Sequence, residues 1–418
     1  MSHASSVQME LIQGKCEDVY YANPETTKKA CIPTKQTTKY TQSFNSLNGG
    51  VSTFTIPPNF GLQGVCVTLT LPAVASGAGA GVAVSRGWGY ALIKQISYRV
   101  GGSTQFFVTG QQMLQHALKR MTNQQAKDDL FTLGGSYATG TTLETAQNAY
   151  VFLDLPWNKA TSEGMPVPLA TDCLGAQVQI TCELNAVSTI VALNASATLP
   201  ASYSTGLSAG TFQVQQLLMA SRDDSLAVRE NLATHQYVMP VEFVQQEQVI
   251  TNIASGTASQ TITATGFRSG SVKSIEMWLT RNGDVSATVK NPLKTYIPQN
   301  IQVTYAGDVY ARFDNGISQL WNLINSKTSP YVNGLTTTYS SGYVNTAEQY
   351  GWATLPFAQT YDVADTSDYV LVEGLQVTNG IVTIAFTTPS SQTDWVLHLS
   401  YIYNASIVFS QSSAEFVF

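Results

Sequence analysis

The sequence predicts an all-β protein of two tandem eight-stranded antiparallel jelly rolls with a few short helices. Three observations carry this prediction: an unusually small charged fraction, a series of short strand signals, and an internal repeat. The predicted organisation, in chain order, is an N-terminal arm over 1–40, a first roll over 41–221, a linking helix over 222–236 and a second roll over 237–418.

The charged fraction is the first observation. Of 418 residues, 21 are Lys or Arg and 27 are Asp or Glu, so 11% carry charge, against roughly 25% in a typical soluble domain. Helix-rich enzymes cover their exposed faces with Glu, Lys and Arg, so a neutral polar surface favours β-structure and long loops. The net charge of −6 argues against direct nucleic-acid binding, and the hydrophobic fraction of 44% argues against disorder.

Strand signals outnumber helical signals. Short runs rich in β-branched and aromatic residues predict strands over 50–56, 65–71, 93–100, 150–155, 176–184 and 212–218, with a second series from Tyr237 onwards. Helices are predicted over 111–121, where an apolar stripe recurs on one face, and over 225–234, where two aspartates precede the first turn.

The second half of the chain repeats the first at an offset of about 200 to 220 residues. Three pairs of segments occur in the same order: 96–102 with 301–307, 155–157 with 355–357, and 184–186 with 403–405. A helical pattern follows the first member of each half, at 111–121 and through Ile317, Leu320, Trp321 and Ile324. Such order indicates duplication of a whole domain.

Two polar stretches rich in Gly, Thr, Ser and Tyr, 122–148 and 325–350, are predicted to be long loops. Because they occupy equivalent positions in the two copies, we expect both at the same end of the molecule.

The cysteines and the N-terminus indicate a reduced, unexported protein. The five cysteines, an odd number without a C-x-x-C pair, are Cys16, Cys31, Cys66, Cys173 and Cys182. We expect reduced, partly buried thiols, with a Cys16–Cys31 bridge as the alternative. We expect no signal peptide. The charge-free stretches after Lys39 and Glu183 contain too many polar residues for a transmembrane helix.

No catalytic constellation emerges. The histidines at 3, 116, 235 and 398 are scattered, and we interpret His116 and His398 as structural. Asp362, Asp365 and Asp368 lack the spacing of a calcium loop. Asp128 and Asp129 resemble half of a glycosidase carboxylate pair, but no partner is identifiable. We therefore predict no enzyme activity, no catalytic, cofactor-binding or metal-binding residues, and no cofactor.

Three short motifs are interpreted as chance matches. The segment 77–81 departs from G-x-G-x-x-G at Val82. The segment 206–210 matches G-x-S-x-G, but a loop is predicted before it and a strand after it, opposite to a nucleophile elbow. Asn194 and Asn404 begin glycosylation sequons that we expect to be unused without export.

Several segments resemble double jelly-roll major capsid proteins of the adenovirus, tectivirus and large DNA virus lineage. In the first half these are Tyr98-Arg-Val-Gly-Gly102 with the helix through Met113, Leu114 and Leu118, then 150–157, Pro166-Val-Pro-Leu-Ala170 and 177–184. In the second half the segment 305–314 is similar to the strand–turn–strand of the second roll of that family.

The resemblance implies a homotrimer with a pseudo-hexagonal outline that tiles an icosahedral viral shell. It implies location in the virion, contacts between trimers, and penton and minor capsid or cement proteins as partners. It also implies that the N-terminal arm faces the interior and contacts neighbours or an internal membrane. Two rolls in one chain give a trimer six nearly equivalent sides, which agrees with this expectation.

Two other functions remain as alternatives. A carbohydrate-binding or adhesin-type β-sandwich suits neutral loops rich in Tyr, Trp and Asn, and predicts saturable glycan binding. A jelly-roll hydrolase requires a convergent acidic pair, for which Asp128 and Asp129 are the candidates.

Overall fold

The computed structural model of the chain describes a subset of its residues. These are 34–56, 61–75, 81–100, 105–120, 124–153, 178–193, 197–219, 237–245, 248–251, 253, 259–265, 270–285, 290–313, 331–340, 345–357, 375–377, 381–389, 393–409 and 414–417. Among these residues, no helix has the length and apolar character needed to cross a membrane.

Strands dominate the described residues. The first half contains β1 (Thr34–Ser43), β2 (Val51–Ile56), β3 (Gly61–Leu71), β4 (Val82–Val84), β5 (Ile93–Val100), β6 (Gln105–Val108), β7 (Ala138–Thr139), β8 (Gln147–Leu153), β9 (Val178–Leu184), β10 (Val191–Leu193) and β11 (Ala209–Met219). The second half contains β12 (Tyr237–Val244), β13 (Gln248–Ile250), β14 (Gln260–Ala264), β15 (Gly270–Arg281), β16 (Gln299–Tyr305), β17 (Asp308–Phe313), β18 (Tyr331–Ser340), β19 (Asn345–Pro356), β20 (Leu375–Val377), β21 (Val382–Thr387), β22 (Trp395–Phe409) and β23 (Ala414–Val417).

The described helices are short. They are α1 (Trp88–Leu92), α2 (Gly110–Arg120), α3 (Gln124–Leu133) and α4 (Ala201–Ser204). Three 3-10 turns cover Gly140–Glu144, Val187–Thr189 and Asn282–Val285.

The first roll is a sandwich of two four-stranded antiparallel sheets. Their strand orders are β1-β11-β3-β8 and β2-β9-β5-β6, and a small third sheet has the order β10-β4-β7. Alternate residues of β3, from Val65 to Leu71, are buried in the core between the two large sheets. Phe54 of β2 stacks on Phe212 of β11 with ring centroids 4.3 Å apart, which joins the sheets across this core.

The second roll has the same arrangement. One sheet runs β12-β22-β15-β19, extended by β18, and the other runs β14-β21-β16-β17. Position by position, β3 therefore corresponds to β15, β8 to β19 and β11 to β22. The predicted fold of two eight-stranded antiparallel rolls is confirmed.

The structure confirms one predicted repeat pair and corrects another. Residues 96–100 lie in β5 and residues 301–305 lie in β16, and these strands begin the equivalent hairpins β5–β6 and β16–β17; residues 101 and 102 lie outside the described residues. The pairing of 184–186 with 403–405 is wrong, because Leu184 ends β9 whereas 403–405 lies within β22, the counterpart of β11. The segment 355–357 follows the predicted pattern at the end of β19, and its counterpart 155–157 lies outside the described residues.

The two predicted long loops are largely regular structure. The stretch 122–148 contains α3, β7, the 3-10 turn at Gly140–Glu144 and the start of β8. The described part of 325–350 belongs to the hairpin β18–β19. Neutral polar residues favour loops, but cross-strand pairing and packing override this weak preference. The two stretches do meet, since α3 contacts β18.

The other predicted elements are placed as follows. The helix at 111–121 is confirmed as α2. The helices predicted at 225–234 and through Ile317 to Ile324 lie outside the described residues. Strand β1 begins at Thr34, inside the segment assigned to the N-terminal arm, and pairs with β11 of the first roll. The domain boundaries otherwise stay a prediction.

Candidate functional site

Helix α2 is held at a fixed position beside α1. Thr109 and Gln112 cap its first turn reciprocally. The backbone N–H of Gln112 donates to Thr109 Oγ1 at 3.2 Å, and the backbone N–H of Thr109 donates to Gln112 Oε1 at 2.9 Å. At Gly110 an added Cβ would collide with the carbonyl oxygens of Tyr90 and Ile93. The absence of a side chain there lets α2 begin directly against α1.

Helix α2 uses two faces. Met113, Leu114 and Leu118 belong to the buried hydrophobic cluster. A polar face carries Gln111, Gln112 and His116, and each of these contacts a strand of the second roll.

The receiving surface is the outer face of the second roll, opposite its core. On β15, Ile275, Met277 and Leu279 are buried and alternate with Glu276 and Trp278, which are also fully buried. In antiparallel register Glu276 lies between Thr354 of β19 and Ser400 of β22, and both neighbours are buried. Because both faces of β15 are covered, consecutive residues of this strand are buried instead of alternating between buried and exposed.

Three polar contacts join α2 to this surface, which we call the inter-roll seam. His116 Nε2 lies 3.3 Å from Glu276 Oε2. The Gln112 side-chain amide donates to Ser400 Oγ at 2.9 Å. The indole N–H of Trp278 donates to Gln111 Oε1 at 3.1 Å. Buried polar groups are costly without partners, so these contacts fix the relative position of the rolls.

An aromatic pair supports the seam from the side of the second roll. Trp278 stacks on His398 with ring centroids 5.4 Å apart and planes 4° apart. His398 Nε2 is 2.7 Å from Thr280 Oγ1. Both histidines interpreted from the sequence as structural, His116 and His398, thus take part in or adjoin the seam.

The corresponding outer face of the first roll exposes two aromatic side chains in the part of the chain that the structure describes. We call it the first-roll outer face and define it by Cys66 and Thr68 of β3, Tyr150 and Phe152 of β8, and Gln213 of β11. Cys66 pairs with Phe152 and with Gln213, and Thr68 pairs with Tyr150. Tyr150 and Phe152 are 46% and 49% exposed, although large aromatic side chains are usually buried.

The aspartates considered for hydrolysis have structural partners. Arg86 donates to Asp128 Oδ1 at 3.1 Å and to the Asp128 carbonyl oxygen at 2.9 Å, and its guanidinium lies over the Phe131 ring. Asp129 accepts a hydrogen bond from Gln125 at 2.9 Å. These contacts tie α3 to the segment before α1.

The G-x-S-x-G segment is not a nucleophile elbow. It follows helix α4, which replaces the predicted loop, and leads into β11. Ser208 Oγ donates to the Thr70 carbonyl oxygen at 3.2 Å, and an elbow needs the opposite order of strand and helix.

Several other sequence candidates lie outside the described residues. These are His3, His235, Asn194, Gly77, Gly79, Asp362, Asp365, Asp368, Cys16, Cys31 and Cys173. Gly81 immediately precedes β4, and Asn404 lies within β22, where its side-chain amide is 3.4 Å from Ser271 Oγ.

The described thiols are Cys66 and Cys182, and both are free. Burial raises the pKa of each thiol above its ordinary value. In the part of the chain that the structure describes, no group of three or more His, Cys, Asp or Glu side chains is arranged to hold a metal ion.

Each roll contains two main sheets, and the strand orders of the first roll recur in the second. The side of the first roll that carries α2 packs against a sheet face of the second roll. This arrangement defines a double jelly-roll protein. Comparison with solved structures supports this class. PBCV-1 VP54, fitted into a reconstruction of the virophage Sputnik, aligns with a TM-score of 0.66 and 9% identity over 93% of this chain and 98% of that chain. A PBCV-1 virus capsid aligns at 0.65 and 10% identity over the same shares.

The Faustovirus major capsid protein aligns with a TM-score of 0.56 and 11% identity over 91% of each chain. The chain therefore has the double jelly-roll fold of viral major capsid proteins, as its sequence resemblance implied. Comparisons with models of protein families and with curated proteins gave no match.

Sequence reasoning missed the inter-roll seam. A signal was present in Ser274-Ile-Glu-Met-Trp-Leu279, where a charged residue and a tryptophan alternate with apolar residues within one strand. A strand that is buried on both faces is expected to be a continuous run of apolar residues. Because a glutamate interrupts this run, the sequence did not indicate that the second face of the strand is buried.

Proposed function

We propose that this chain is a major capsid protein that assembles into homotrimers of pseudo-hexagonal outline, which tile an icosahedral viral shell. The observation that carries the proposal is the repeated roll: two rolls with the same strand order are joined within one chain by a specific, buried seam. Three such chains place six similar rolls around one threefold axis.

The fold comparison supports the same role. The alignments with the PBCV-1 structures include both rolls, since they cover more than nine-tenths of each chain. A fold alone does not establish function, so the composition matters as independent support. A charged fraction of 11% suits a protein whose sides meet identical copies, because interface cores are depleted in charge.

The proposal includes location in the virion and a structural rather than enzymatic role. Its support is that Asp128, the candidate acid, is bound by Arg86 and lies in a helix contact. Penton proteins and minor capsid or cement proteins are the proposed partners within the shell, and an internal membrane is the proposed partner of the N-terminal arm. Direct contact with nucleic acid is not part of the proposal, in keeping with the net charge of −6.

Electron microscopy of the purified chain, combined with light scattering, tests the proposal. We expect threefold particles with a hexagonal outline and a mass three times the chain mass of 45.1 kDa. A single-chain mass throughout the micromolar range would contradict it. Saturable binding to a glycan array by a single chain would support the carbohydrate-binding alternative.

Membrane contact is tested separately by flotation with anionic vesicles. We expect the full chain to float with the vesicles and a variant that lacks residues 1–33 to remain at the bottom. Equal flotation of both would remove the membrane from the proposed partners.

A further inference from the structure

One contact of the inter-roll seam joins two ionisable groups that belong to different rolls. His116 of α2 places Nε2 at 3.3 Å from Oε2 of Glu276 on β15. The two side chains are 10% and 0% exposed, so their charges are hardly screened by water. The number of protons that this pair holds therefore affects how strongly the two rolls are joined.

The groups that border the pair within the sheet are neutral. Glu276 lies between Thr354 of β19 and Ser400 of β22, and both neighbours are buried. Ser400 in turn accepts a hydrogen bond from the side chain of Gln112 at 2.9 Å. These neighbours supply polar contacts but no charge, so an ionised Glu276 is offset by basic groups only.

Four other acidic or basic residues lie within four positions of the pair, counted along α2 and β15 and along the paired strands β19 and β22. All four are basic: Lys119, Arg120, Lys273 and His398. Helix α1 and strand β18 also contact α2 and contain no acidic or basic residue, whereas β5 contains Lys94 and Arg99. His398 is stacked on Trp278, and Lys94 is paired with Glu183. Lys119, about one turn beyond His116 on α2, is the charge whose effect a test must separate from that of His116.

The hydrogen bond of the pair depends on its proton count. With one proton the pair is net neutral, and one of the two facing atoms donates to the other, whichever group holds the proton. A second proton makes both facing atoms donors, so the hydrogen bond is lost and a positive charge is buried. Removal of the only proton leaves a buried negative charge, which is costly. The closed seam thus favours the one-proton state.

We propose that the inter-roll seam is a proton-dependent joint, in which the His116–Glu276 pair holds the two rolls most strongly when it carries one proton. This inference is independent of the proposed trimer, because the seam lies within one chain. Free carboxyl and imidazole groups bind protons near about pH 4.3 and 6.5. The contribution of the pair is therefore complete between about these values. It is lost as the pH rises above the upper value, where the first proton leaves, and as the pH falls below the lower value, where a second proton binds.

A double-mutant cycle tests the inference. The wild type, His116→Gln, Glu276→Gln and the double variant are unfolded in urea at pH 5.5 and at pH 8.5, at one protein concentration. Glutamine keeps a hydrogen-bonding group at each position but does not titrate. We expect the coupling between the two positions, expressed as a ratio of unfolding constants, to be at least about 10-fold larger at pH 5.5 than at pH 8.5. Equal coupling at the two pH values would overturn the inference.

A neighbouring contact of the seam provides the matched control. Gln112 and Ser400 also join α2 to the second roll, at 2.9 Å, and neither side chain titrates in this range. The cycle of Gln112→Met and Ser400→Ala should give the same coupling at both pH values. A pH dependence as large as that of the His116–Glu276 cycle would assign the effect to the seam as a whole and overturn the role of the pair.

The contribution of Lys119 is tested by repeating the His116–Glu276 cycle in a Lys119→Met background. We expect the pH dependence of the coupling to persist. Its loss would make Lys119 the partner charge and overturn the inference. If the double variant does not fold, the wild type is compared with His116→Gln alone. Their unfolding constants should then differ at least about 10-fold more at pH 5.5 than at pH 8.5, and an equal difference at both would overturn the inference.

Discussion

Replacing Trp278 with alanine should uncouple the two rolls. The side chain is fully buried in the seam, stacks on His398 and donates a hydrogen bond to Gln111 at 3.1 Å. Truncation of a buried tryptophan costs about 3–5 kcal/mol, of which the hydrogen bond accounts for about 1 kcal/mol. For a roll of this size that loss corresponds to a fall of roughly 10 °C in the melting temperature.

The neighbouring residue supplies a matched control. Leu279 lies on the same strand and is equally buried, but it faces the core of the second roll. Leu279→Ala should cost about 2–5 kcal/mol and leave the seam in place. The two variants thus lose comparable stability by different routes.

Differential scanning calorimetry distinguishes these routes. We expect one cooperative transition for the wild type and for Leu279→Ala, at a lower temperature in the variant. Trp278→Ala should divide the transition in two, because each roll then unfolds separately. A single transition for Trp278→Ala, shifted by the same amount as for Leu279→Ala, would refute the coupling role of the seam.

Three further changes test other parts of the structure. Arg86→Met should lower the free energy of unfolding in urea by about 1.5–3 kcal/mol, since hydrogen bonds to Asp128 are lost; no change would show that α3 is held by apolar contacts alone. Gly110→Ala should abolish soluble trimer in expression trials, because its Cβ meets backbone oxygens; a normal yield would contradict the close approach of α1 and α2. Burial raises the pKa of Cys182, so the unfolded thiol ionises first and stability falls as pH rises above about 9, by up to about 1.4 kcal/mol per pH unit. In urea denaturation at pH 9 and 10, the free energy of unfolding should fall less with pH in Cys182→Val than in the wild type. An equal fall in the two proteins would refute this prediction.

The strands of the first roll were predictable because their sequence alternates with the period of a half-buried sheet. The predicted strand 93–100 coincides with β5, and 65–71 lies within β3. In these strands the sequence pattern agrees with the environment in the folded protein, because one face packs on the core and the other face is at least partly exposed.

Prediction failed where tertiary contacts decide the structure. The stretch 122–148 was predicted as loop, yet it contains α3, which is held by Arg86 over Phe131 and Asp128. The β18–β19 hairpin is rich in Thr, Tyr and Gly, and pairing with β15 rather than local preference makes it a sheet. Such interactions join residues far apart in the chain, so no local pattern contains them.

The candidate site shows the same limit. Helix α2 and its apolar stripe were predictable, whereas the role of Gln112 was not, because it depends on Ser400, which is 288 residues away. The repeat itself was visible in sequence, but one of its three pairs was matched to the wrong strand, since Asn-Ala occurs both directly after β9 and within β22, which belong to different sheets. Short sequence matches identify the corresponding strands of a repeat less reliably than strand pairing does.

The central claim is that one chain with two equivalent rolls builds a threefold capsomer. The most direct measurement is single-particle electron microscopy of the purified chain at micromolar concentration, with the mass measured on the same sample. The account predicts threefold particles of hexagonal outline at three times 45.1 kDa. Particles of single-chain mass, or an assembly without threefold symmetry, would contradict it.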